Sequence, residues 1–173
     1  MTASEFSADI GFAVNGRDVE MRVPIRMTVA ELVRDRLRLT GTKVSCEIQV
    51  CGVCTVLVNG HPVSACSMLA CDLDGTSLLT IEGLANGREL HPVQQAFIET
   101  NAFQCGFCTP GFVLMAYALL EHDPEPDAEA IREWLDGNIC RCTGYAPIEQ
   151  AVSLAGTRLA EGQSNVVEGS TDG

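Results

Sequence analysis

Nine cysteines in a chain of 173 residues constrain this fold more than any other feature of the sequence. Eight of them fall into two groups, within residues 46–66 and 105–142, and the ninth, Cys71, belongs to neither. The odd number argues against a complete disulfide framework, and no secretory signal is recognisable at the N-terminus. In a reducing compartment, clustered cysteines more often bind metal or carry out redox chemistry. The sequence therefore predicts a cytoplasmic protein built around two cysteine sites.

The first group has the spacing C-x4-C-x2-C in Cys46, Cys51 and Cys54, and Cys66 follows after 11 further residues. Plant-type [2Fe–2S] ferredoxins use this spacing, in which one compact loop supplies three thiolates. Gly52 lies between two of these cysteines and allows the backbone to approach a cluster closely. Structural zinc sites usually show two separated cysteine or histidine pairs. We therefore favour a [2Fe–2S] cluster over zinc at the first group.

The second group combines a C-x2-C pair, Cys105 and Cys108, with a C-x-C pair, Cys140 and Cys142. Each pair lies at a predicted helix terminus, where the helix dipole favours thiolates. Taken alone, this pattern leaves zinc, a thioredoxin-like redox pair, a [2Fe–2S] cluster and a [4Fe–4S] cluster open. C-x-C is unusual for zinc, and no βαβ pattern supports a thioredoxin-like motif.

Strand signals dominate the first part of the chain and helix signals the second. Asn15-Gly16 and Asn59-Gly60 are strong hairpin turns, and Thr28 with Glu31 forms a capping box. The predicted elements of the first part are a hairpin over 8–24, a helix over 28–37, a loop over 45–54, a hairpin over 55–65 and a strand over 77–81. This order predicts an α+β arrangement in which a small mixed sheet packs on one helix.

Four helices are predicted after the strands. They begin at His91-Pro92, Pro110, Asp127 and Pro147, and they extend to about residues 103, 120, 135 and 159. We therefore divide the chain into residues 1–83, an all-α domain over residues 84–160, and a disordered tail over residues 161–173.

The charge of the chain excludes several functions. Eleven basic residues against 23 acidic residues give a net charge of −12. A protein that binds nucleic acid through the phosphate backbone needs a basic surface, so we expect no nucleic-acid partner. The longest apolar stretch, over residues 111–120, has about half the length of a membrane-spanning helix, so we expect no membrane insertion.

The two groups together resemble the small iron–sulfur subunit, or domain, of the xanthine oxidase family of molybdenum hydroxylases. The resemblance covers roughly residues 8–155, and the combination of motifs is highly specific. The segments that carry it are Gly41-Thr42-Lys43, Cys46, Cys51-Gly52-Val53-Cys54-Thr55-Val56, Cys66, Gln104-Cys105-Gly106-Phe107-Cys108-Thr109-Pro110-Gly111 and Asn138-Ile139-Cys140-Arg141-Cys142-Thr143-Gly144-Tyr145.

The resemblance implies an N-terminal plant-type ferredoxin-like (β-grasp) domain and a C-terminal four-helix-bundle domain, each with one [2Fe–2S] cluster. The implied ligands are Cys46, Cys51, Cys54 and Cys66 for the first cluster and Cys105, Cys108, Cys140 and Cys142 for the second. In related proteins, the residues equivalent to Gln104 and Cys142 also approach the pterin cofactor of the partner subunit.

The resemblance also implies a role in electron transfer. A large subunit carries the molybdenum–pterin centre, in the cytosine dinucleotide form, and a medium subunit carries FAD; the three chains form a heterotrimer that dimerises. This chain relays electrons from the molybdenum to FAD and has no catalytic site of its own. A free two-cluster electron carrier and a zinc-stabilised binding module are the alternatives. The substrate pocket lies on another chain.

Two residues depart from the pattern of the family, and four others stand outside both groups. The family usually has glycine where this chain has Ser45 and Gln49, and we expect the cluster to survive with altered hydrogen bonding. Cys71 is expected to be a buried small hydrophobic residue. The three histidines, His61, His91 and His122, are not expected to be ligands.

Overall fold

The computed structural model describes residues 6–168, with side chains described as far as residue 161. Within that range the chain forms a mixed sheet followed by helices, which confirms the α+β class. The strands are β1 (Ser7–Val14), β2 (Arg17–Pro24), β3 (Thr55–Val58), β4 (His61–Ser64) and β5 (Ser77–Leu79). The helices are α1 (Val29–Glu31), α2 (Pro92–Glu99), α3 (Thr109–His122), α4 (Ala128–Leu135) and α5 (Ala146–Glu168).

Both predicted hairpins are confirmed, and their turns have the backbone geometry that Asn-Gly favours. The φ angles are 49° and 75° at Asn15 and Gly16, and 50° and 82° at Asn59 and Gly60. Two consecutive residues with positive φ form the type I′ turn, whose twist matches that of the flanking strands. β1 therefore pairs with β2, and β3 pairs with β4, in the expected antiparallel registers.

The last strand joins the two hairpins into one sheet. In the described residues the strand order is β2-β1-β5-β3-β4. β5 pairs with β1 in parallel and with β3 antiparallel. β5, the last strand of the sheet unit (residues 7–79) in sequence, is therefore the central strand of the sheet.

The helix that packs on this sheet begins as predicted. The Thr28 N–H donates to Glu31 Oε2 (2.8 Å) and the Glu31 N–H donates to Thr28 Oγ1 (3.2 Å), which completes the capping box. After α1, however, the chain continues through a π-helical turn, Leu32–Arg36, and not through a regular α-helix. The Leu37 N–H bonds the carbonyl of Leu32, five residues back, and Leu32 is fully buried.

In the helical unit (residues 92–168), side-chain caps mark the starts of two helices, α2 and α4. The ring of His91 accepts from the Val93 N–H (3.3 Å) ahead of α2. Asp127 Oδ1 accepts from the N–H groups of Glu129 and Ala130 (2.9 and 2.8 Å) ahead of α4. These contacts satisfy N–H groups that have no partner inside the helix, so the two predicted starts are confirmed.

Two helix ends differ from the prediction. α2 stops at Glu99 and not near residue 103, because Asn101 has a left-handed backbone (φ 53°) and the Ala102 N–H turns back to the Phe97 carbonyl. α5 continues to Glu168, past the expected end near residue 159. Residues 169–173 of the predicted tail (161–173) lie outside the described residues, and the disorder of the tail stays a prediction.

Each unit has its own core, and a third apolar contact joins the two units. The sheet unit buries Phe12, Val23, Leu32, Val56 and Leu78, among others, and all four helices of the helical unit contribute to a core that includes Val93, Phe97, Phe112, Ile131, Ile148 and Val152. Leu57 of β3 packs against Leu114 and Ala118 of α3, and all three are buried. This contact holds the start of α3 against the loop before β3.

A close backbone approach accompanies that contact. A Cβ atom on Gly111 would lie 2.7 Å from the carbonyl oxygen of Gly52 and 3.3 Å from that of Val53. Neither carbonyl can move freely, since both belong to the loop that carries three cysteines. Glycine is therefore required at this position of α3.

The loop over residues 45–54 has an unusual backbone. Glu47, Gln49 and Gly52 have left-handed φ angles of 58°, 60° and 64°, whereas Ser45 does not. Of the two positions at which the resemblance leads us to expect glycine, only Gln49 therefore adopts a conformation that glycine favours.

None of the helices described in residues 6–168 is both long enough and apolar enough to cross a lipid bilayer.

The contact at Gly111 generates the first prediction. Gly111→Ala should destabilise the chain by about 2 kcal/mol, because the overpacking cost of up to about 3 kcal/mol exceeds the gain in helix propensity of about 1 kcal/mol. Chemical denaturation followed by circular dichroism measures the change. Gly137→Ala is the matched control, since a Cβ there meets nothing within 4 Å, and equal effects of both substitutions would contradict the prediction.

The loop backbone generates the second prediction. Gln49→Gly should stabilise the folded chain by about 0.5–1 kcal/mol, because it removes left-handed strain of about 1–2 kcal/mol at the cost of some chain entropy. Ser45→Gly should destabilise it by about 0.5–1 kcal/mol, because Ser45 has no such strain to relieve. Thermal unfolding of the two variants tests this difference, and shifts of the same sign would contradict it.

Candidate metal centres

The first thiol group (Cys46, Cys51, Cys54 and Cys66) lies where the loop before β3 meets the segment after β4. The Ala65 N–H donates to the Cys54 carbonyl (3.3 Å), which brings Cys66 alongside the loop. The thiols of Cys46 and Cys51 are close enough for one to influence the pKa of the other, and so are those of Cys54 and Cys66. The four predicted residues therefore come together as two neighbouring pairs.

The second thiol group (Cys105, Cys108, Cys140 and Cys142) is assembled from the segments that precede α3 and α5. The Sγ atoms of Cys105 and Cys142, the outer pair, are 3.7 Å apart, and both residues are exposed. The thiols of Cys108 and Cys140, the inner pair, are close enough for each to influence the pKa of the other, and they are less exposed. The four residues again form two pairs, next to two helix N-termini as predicted.

The pairing tests which metal fits these thiols. All nine cysteines are free, and no three His, Cys, Asp or Glu side chains in the described residues are arranged around a single metal ion. Two thiolates on one tetrahedral metal with bonds of about 2.3 Å lie about 3.8 Å apart, close to the 3.7 Å of the outer pair. Two such pairs fit two bridged irons better than one tetrahedral zinc, which would bring all four thiols equally close.

Hydrogen bonds to sulfur favour the thiolate form at selected positions. The pKa of Cys46 is lowered to about 6, first by the N–H of Ile48 and then by those of Val50 and Cys51. The Val50 N–H lies 3.4 Å from Cys46 Sγ. Loop N–H groups that point at a thiolate are the arrangement by which ferredoxin-like loops offset the negative charge of a cluster.

Burial acts in the opposite direction on other thiols. It raises the pKa of Cys54 to about 11 and that of Cys108 to about 12. Burial is the largest single influence on Cys140 and acts to raise its pKa. Hydrogen bonds from the Thr143 hydroxyl, the N–H groups of Thr143 and Cys142, and the Cys108 thiol together outweigh burial, and the pKa is lowered. Buried thiols with raised pKa values remain protonated at neutral pH unless a metal replaces the proton.

A polar contact joins the two thiol groups. The Ile139 N–H, next to Cys140, donates to the Cys51 carbonyl (2.9 Å). The buried amide of Asn138 donates to the Gly52 carbonyl (3.1 Å). We call this contact the junction (Cys51, Gly52, Asn138 and Ile139). Cys51 of the first group accepts one of these hydrogen bonds directly, and Cys140 of the second group is adjacent to the donor, Ile139.

Large apolar side chains are exposed beside both groups. Ile48 and Val50, on the loop of the first group, are 70% and 58% exposed. Phe107 and Ile139, beside the second group, are 46% and 47% exposed. Gln104 precedes Cys105 and is also exposed.

The structure separates the remaining sulfur and imidazole groups from these sites. Cys71 is outside both groups, as predicted, but it is partly exposed and not buried, with Sγ 3.8 Å from the Ile25 carbonyl. His91 caps α2, His122 stacks on Trp134, and His61 is in β4.

Sequence reasoning did not assign a contact to two residues whose side chains form hydrogen bonds at the sites. Thr143 Oγ1 lies 3.1 Å from Cys140 Sγ, and Asn138 binds the Gly52 carbonyl. Both are in the motif around Cys140 and Cys142, but a motif gives no direction for a side chain. Only the proximity to cysteine in the sequence could have indicated them.

Comparison with known proteins agrees with this division into two sites. A family model described as "2Fe-2S iron-sulfur cluster binding domain" matches residues 26–99, and one described as "[2Fe-2S] binding domain" matches residues 80–153. The first thiol group falls in the first match and the second thiol group in the second. The chain therefore has two 2Fe–2S domains.

Relatives and solved structures cover almost the whole chain. The nicotine 6-hydroxylase small subunit of Paenarthrobacter nicotinovorans is 47% identical over 144 residues, which cover 83% of this chain and 87% of the relative. Aldehyde oxidase 1 of Rattus norvegicus is 45% identical over 152 residues, which cover 81% of this chain but only 11% of that much longer protein. The crystal structure of quinoline 2-oxidoreductase from Pseudomonas putida 86 aligns with a TM-score of 0.86 and 38% identity, and the alignment covers 91% of this chain and 98% of the matched chain.

Relatives that are small subunits imply that larger partner subunits complete the oxidoreductase. The motifs, the paired thiols and these matches agree, and the chain belongs to the small iron–sulfur subunits of the xanthine oxidase family of molybdenum hydroxylases.

Proposed function

We propose that this chain relays electrons from a molybdenum–pterin centre on a large partner subunit to FAD on a medium partner subunit. The first thiol group holds one [2Fe–2S] cluster and the second thiol group holds another. The second cluster accepts electrons from the molybdenum centre, and the first passes them on. Substrate chemistry takes place on the large subunit, so this chain carries no catalytic residue.

The junction is the observation that carries this proposal. Cys140 is adjacent to Ile139, whose N–H donates directly to the carbonyl of Cys51 (2.9 Å). Electron transfer weakens steeply with distance, and less steeply through bonds and hydrogen bonds than through space. A single hydrogen bond from the neighbour of one proposed ligand, Cys140, to the carbonyl of another, Cys51, supports a relay between the two clusters better than two independent sites.

The residues of the chain determine what each cluster can do. A bound [2Fe–2S] cluster supplies one-electron redox chemistry. The loop N–H groups around Cys46 and the Thr143 hydroxyl at Cys140 hold the thiolates by hydrogen bonds. Burial of Cys54 and Cys140 excludes water from the inner side of each site.

The exposed edges of the two sites support the assignment of partners. The outer pair and Gln104 are exposed at the second site, and the resemblance assigns Gln104 and Cys142 to contact with the pterin. Ile48 and Val50 present apolar surface beside the first site, where we place the FAD subunit. Apolar side chains this exposed suit permanent interfaces, and they disfavour the free carrier.

The remaining features follow from the family. We assign the sheet unit to a ferredoxin-like β-grasp domain with proposed bounds 1–83, and the helical unit to a four-helix-bundle domain with proposed bounds 84–160. The pterin is the cytosine dinucleotide form, and the three subunits form a heterotrimer that dimerises in the cytoplasm. The four helices that share one core support the bundle assignment.

Iron content tests the ligand sets. The cluster-loaded chain should contain about four irons and about four inorganic sulfides, because each of the two clusters has two of each. Cys66→Ser and Cys108→Ser should each reduce both values to about two, since each removes a ligand of one cluster. Metal analysis and visible absorption measure the change. Cys71→Ser is the matched control and should keep about four irons; bound zinc, or iron loss in the control, would contradict the ligand sets.

Purification from the native host tests the relay against the free carrier. The tagged chain should elute with two larger subunits. Molybdenum and FAD should each be close to one per chain, because the relay needs one molybdenum centre as electron donor and one FAD as electron acceptor. Elemental analysis and flavin absorption give the ratios. A chain that elutes alone with both clusters loaded would support the free carrier and overturn the relay.

A further inference from the structure

Two threonines are associated with the inner pair of the second thiol group, Thr143 by contact with Cys140 and Thr109 as the residue that follows Cys108 in sequence. Thr143 Oγ1 is 3.1 Å from Cys140 Sγ, and the Thr143 N–H is 3.4 Å from the same sulfur. Thr143 follows Cys142 in sequence but bonds Cys140, so the chain turns back to place both donors on the buried ligand. The geometry is that of a hydroxyl aimed at a thiolate acceptor.

Thr109 provides an independent observation at the other inner cysteine. It directly follows Cys108, and its Oγ1 is buried without a hydrogen-bond partner in the described part of the chain. A hydroxyl commonly bonds a carbonyl of the preceding turn, but Thr109 is the first residue of α3 and does not do so. Burying a hydroxyl without a partner is unfavourable, and such a group calls for an acceptor outside the protein atoms.

We propose that the Thr143 hydroxyl donates a hydrogen bond to Cys140 Sγ, that the Thr109 hydroxyl donates one to a sulfide of the second cluster, and that both raise the reduction potential of that cluster. This inference rests on the proposed function, since it requires the second cluster. A donor to sulfur withdraws electron density from the iron, and reduction adds one negative charge that the donor stabilises. The two threonines are positioning and tuning residues and not ligands.

The exposure of the two pairs explains why the chain supplies these donors itself. The outer cysteines, Cys105 and Cys142, are exposed, so water or a partner subunit can donate to their sulfurs. Cys140 is only 8% exposed, and solvent has little access to its sulfur. The inner side therefore depends on hydroxyls from this chain.

A redox titration of the full cluster-loaded chain, followed by electron paramagnetic resonance, tests the proposal. Thr143→Val and Thr109→Val keep the side-chain shape but remove the hydroxyl. Each should make reduction of the second cluster about tenfold less favourable, a shift of about 59 mV to more negative potential for one electron. Thr143→Ser and Thr109→Ser retain the hydroxyl and should restore most of the shift, which a purely structural role would not predict.

The first cluster in the same molecule is the internal reference and should not shift. Thr42→Val removes the other hydroxyl that is buried without a partner in the described residues; it lies in the sheet unit, so this control should leave the potential of the second cluster unchanged. Thr143→Ala serves as the second hydroxyl-free variant if Thr143→Val loads poorly. A second cluster that is present in the valine variants with an unchanged potential overturns this inference alone. Absence of the second cluster from the unmodified chain overturns the proposed function as well.

Discussion

The hydrogen-bonded junction between the first thiol loop and the segment before Cys140 is the contact on which the rest of the arrangement depends. The Gly52 carbonyl accepts from the Thr55 N–H (3.1 Å), the Thr55 hydroxyl (2.6 Å) and the Asn138 amide (3.1 Å). Gly52 has a left-handed backbone, and the space that its Cβ would occupy is taken by Asn138. Because these groups are buried together, neither loop can shift without leaving a polar group unpaired.

The apolar contact of Leu57 with Leu114 and Ala118 makes that junction possible. Sheet and helices could each bury a core separately, but their relative position would then depend on surface contacts alone. Packing of β3 on α3 removes that freedom, and Gly111 allows the helix to approach the loop closely. Burial of apolar side chains thus stabilises the contact between the two units, and the polar junction fixes how the segment before Cys140 is aligned with the first thiol loop.

In each of the two thiol groups, one cysteine is buried in the protein and others are more exposed. Cys54 and Cys140 are buried, whereas Cys105 and Cys142 are exposed. Hydrogen bonds from the chain act on the sheltered or loop-bound sulfurs, as at Cys46 and Cys140. The exposed sulfurs lie next to apolar side chains such as Phe107, which are suited to an interface with another subunit.

Local sequence signals predicted those parts of the structure whose causes are local. Asn15-Gly16, Thr28 with Glu31, and Asp127 each determine a turn or cap through contacts within a few residues, and all three are confirmed. The π-helical turn after α1 and the early end of α2 were missed, because periodicity of apolar residues does not distinguish the pitch of a helix or the left-handed residue, Asn101, that ends it. Cys71 was expected to be buried on composition alone and is partly exposed.

The sequence by itself brought Cys46, Cys51 and Cys54 together, because they are closely spaced on one loop, and the resemblance to the family implied the remaining members of the two groups. It also identified the family, because the motifs around those cysteines are specific. Only the tertiary structure decided how the thiols pair, that Ile139 bonds Cys51, and that Thr143 turns back to Cys140. Those contacts join residues that are distant in the chain or depend on side-chain direction, and both follow from the packing of the helical unit on the sheet unit.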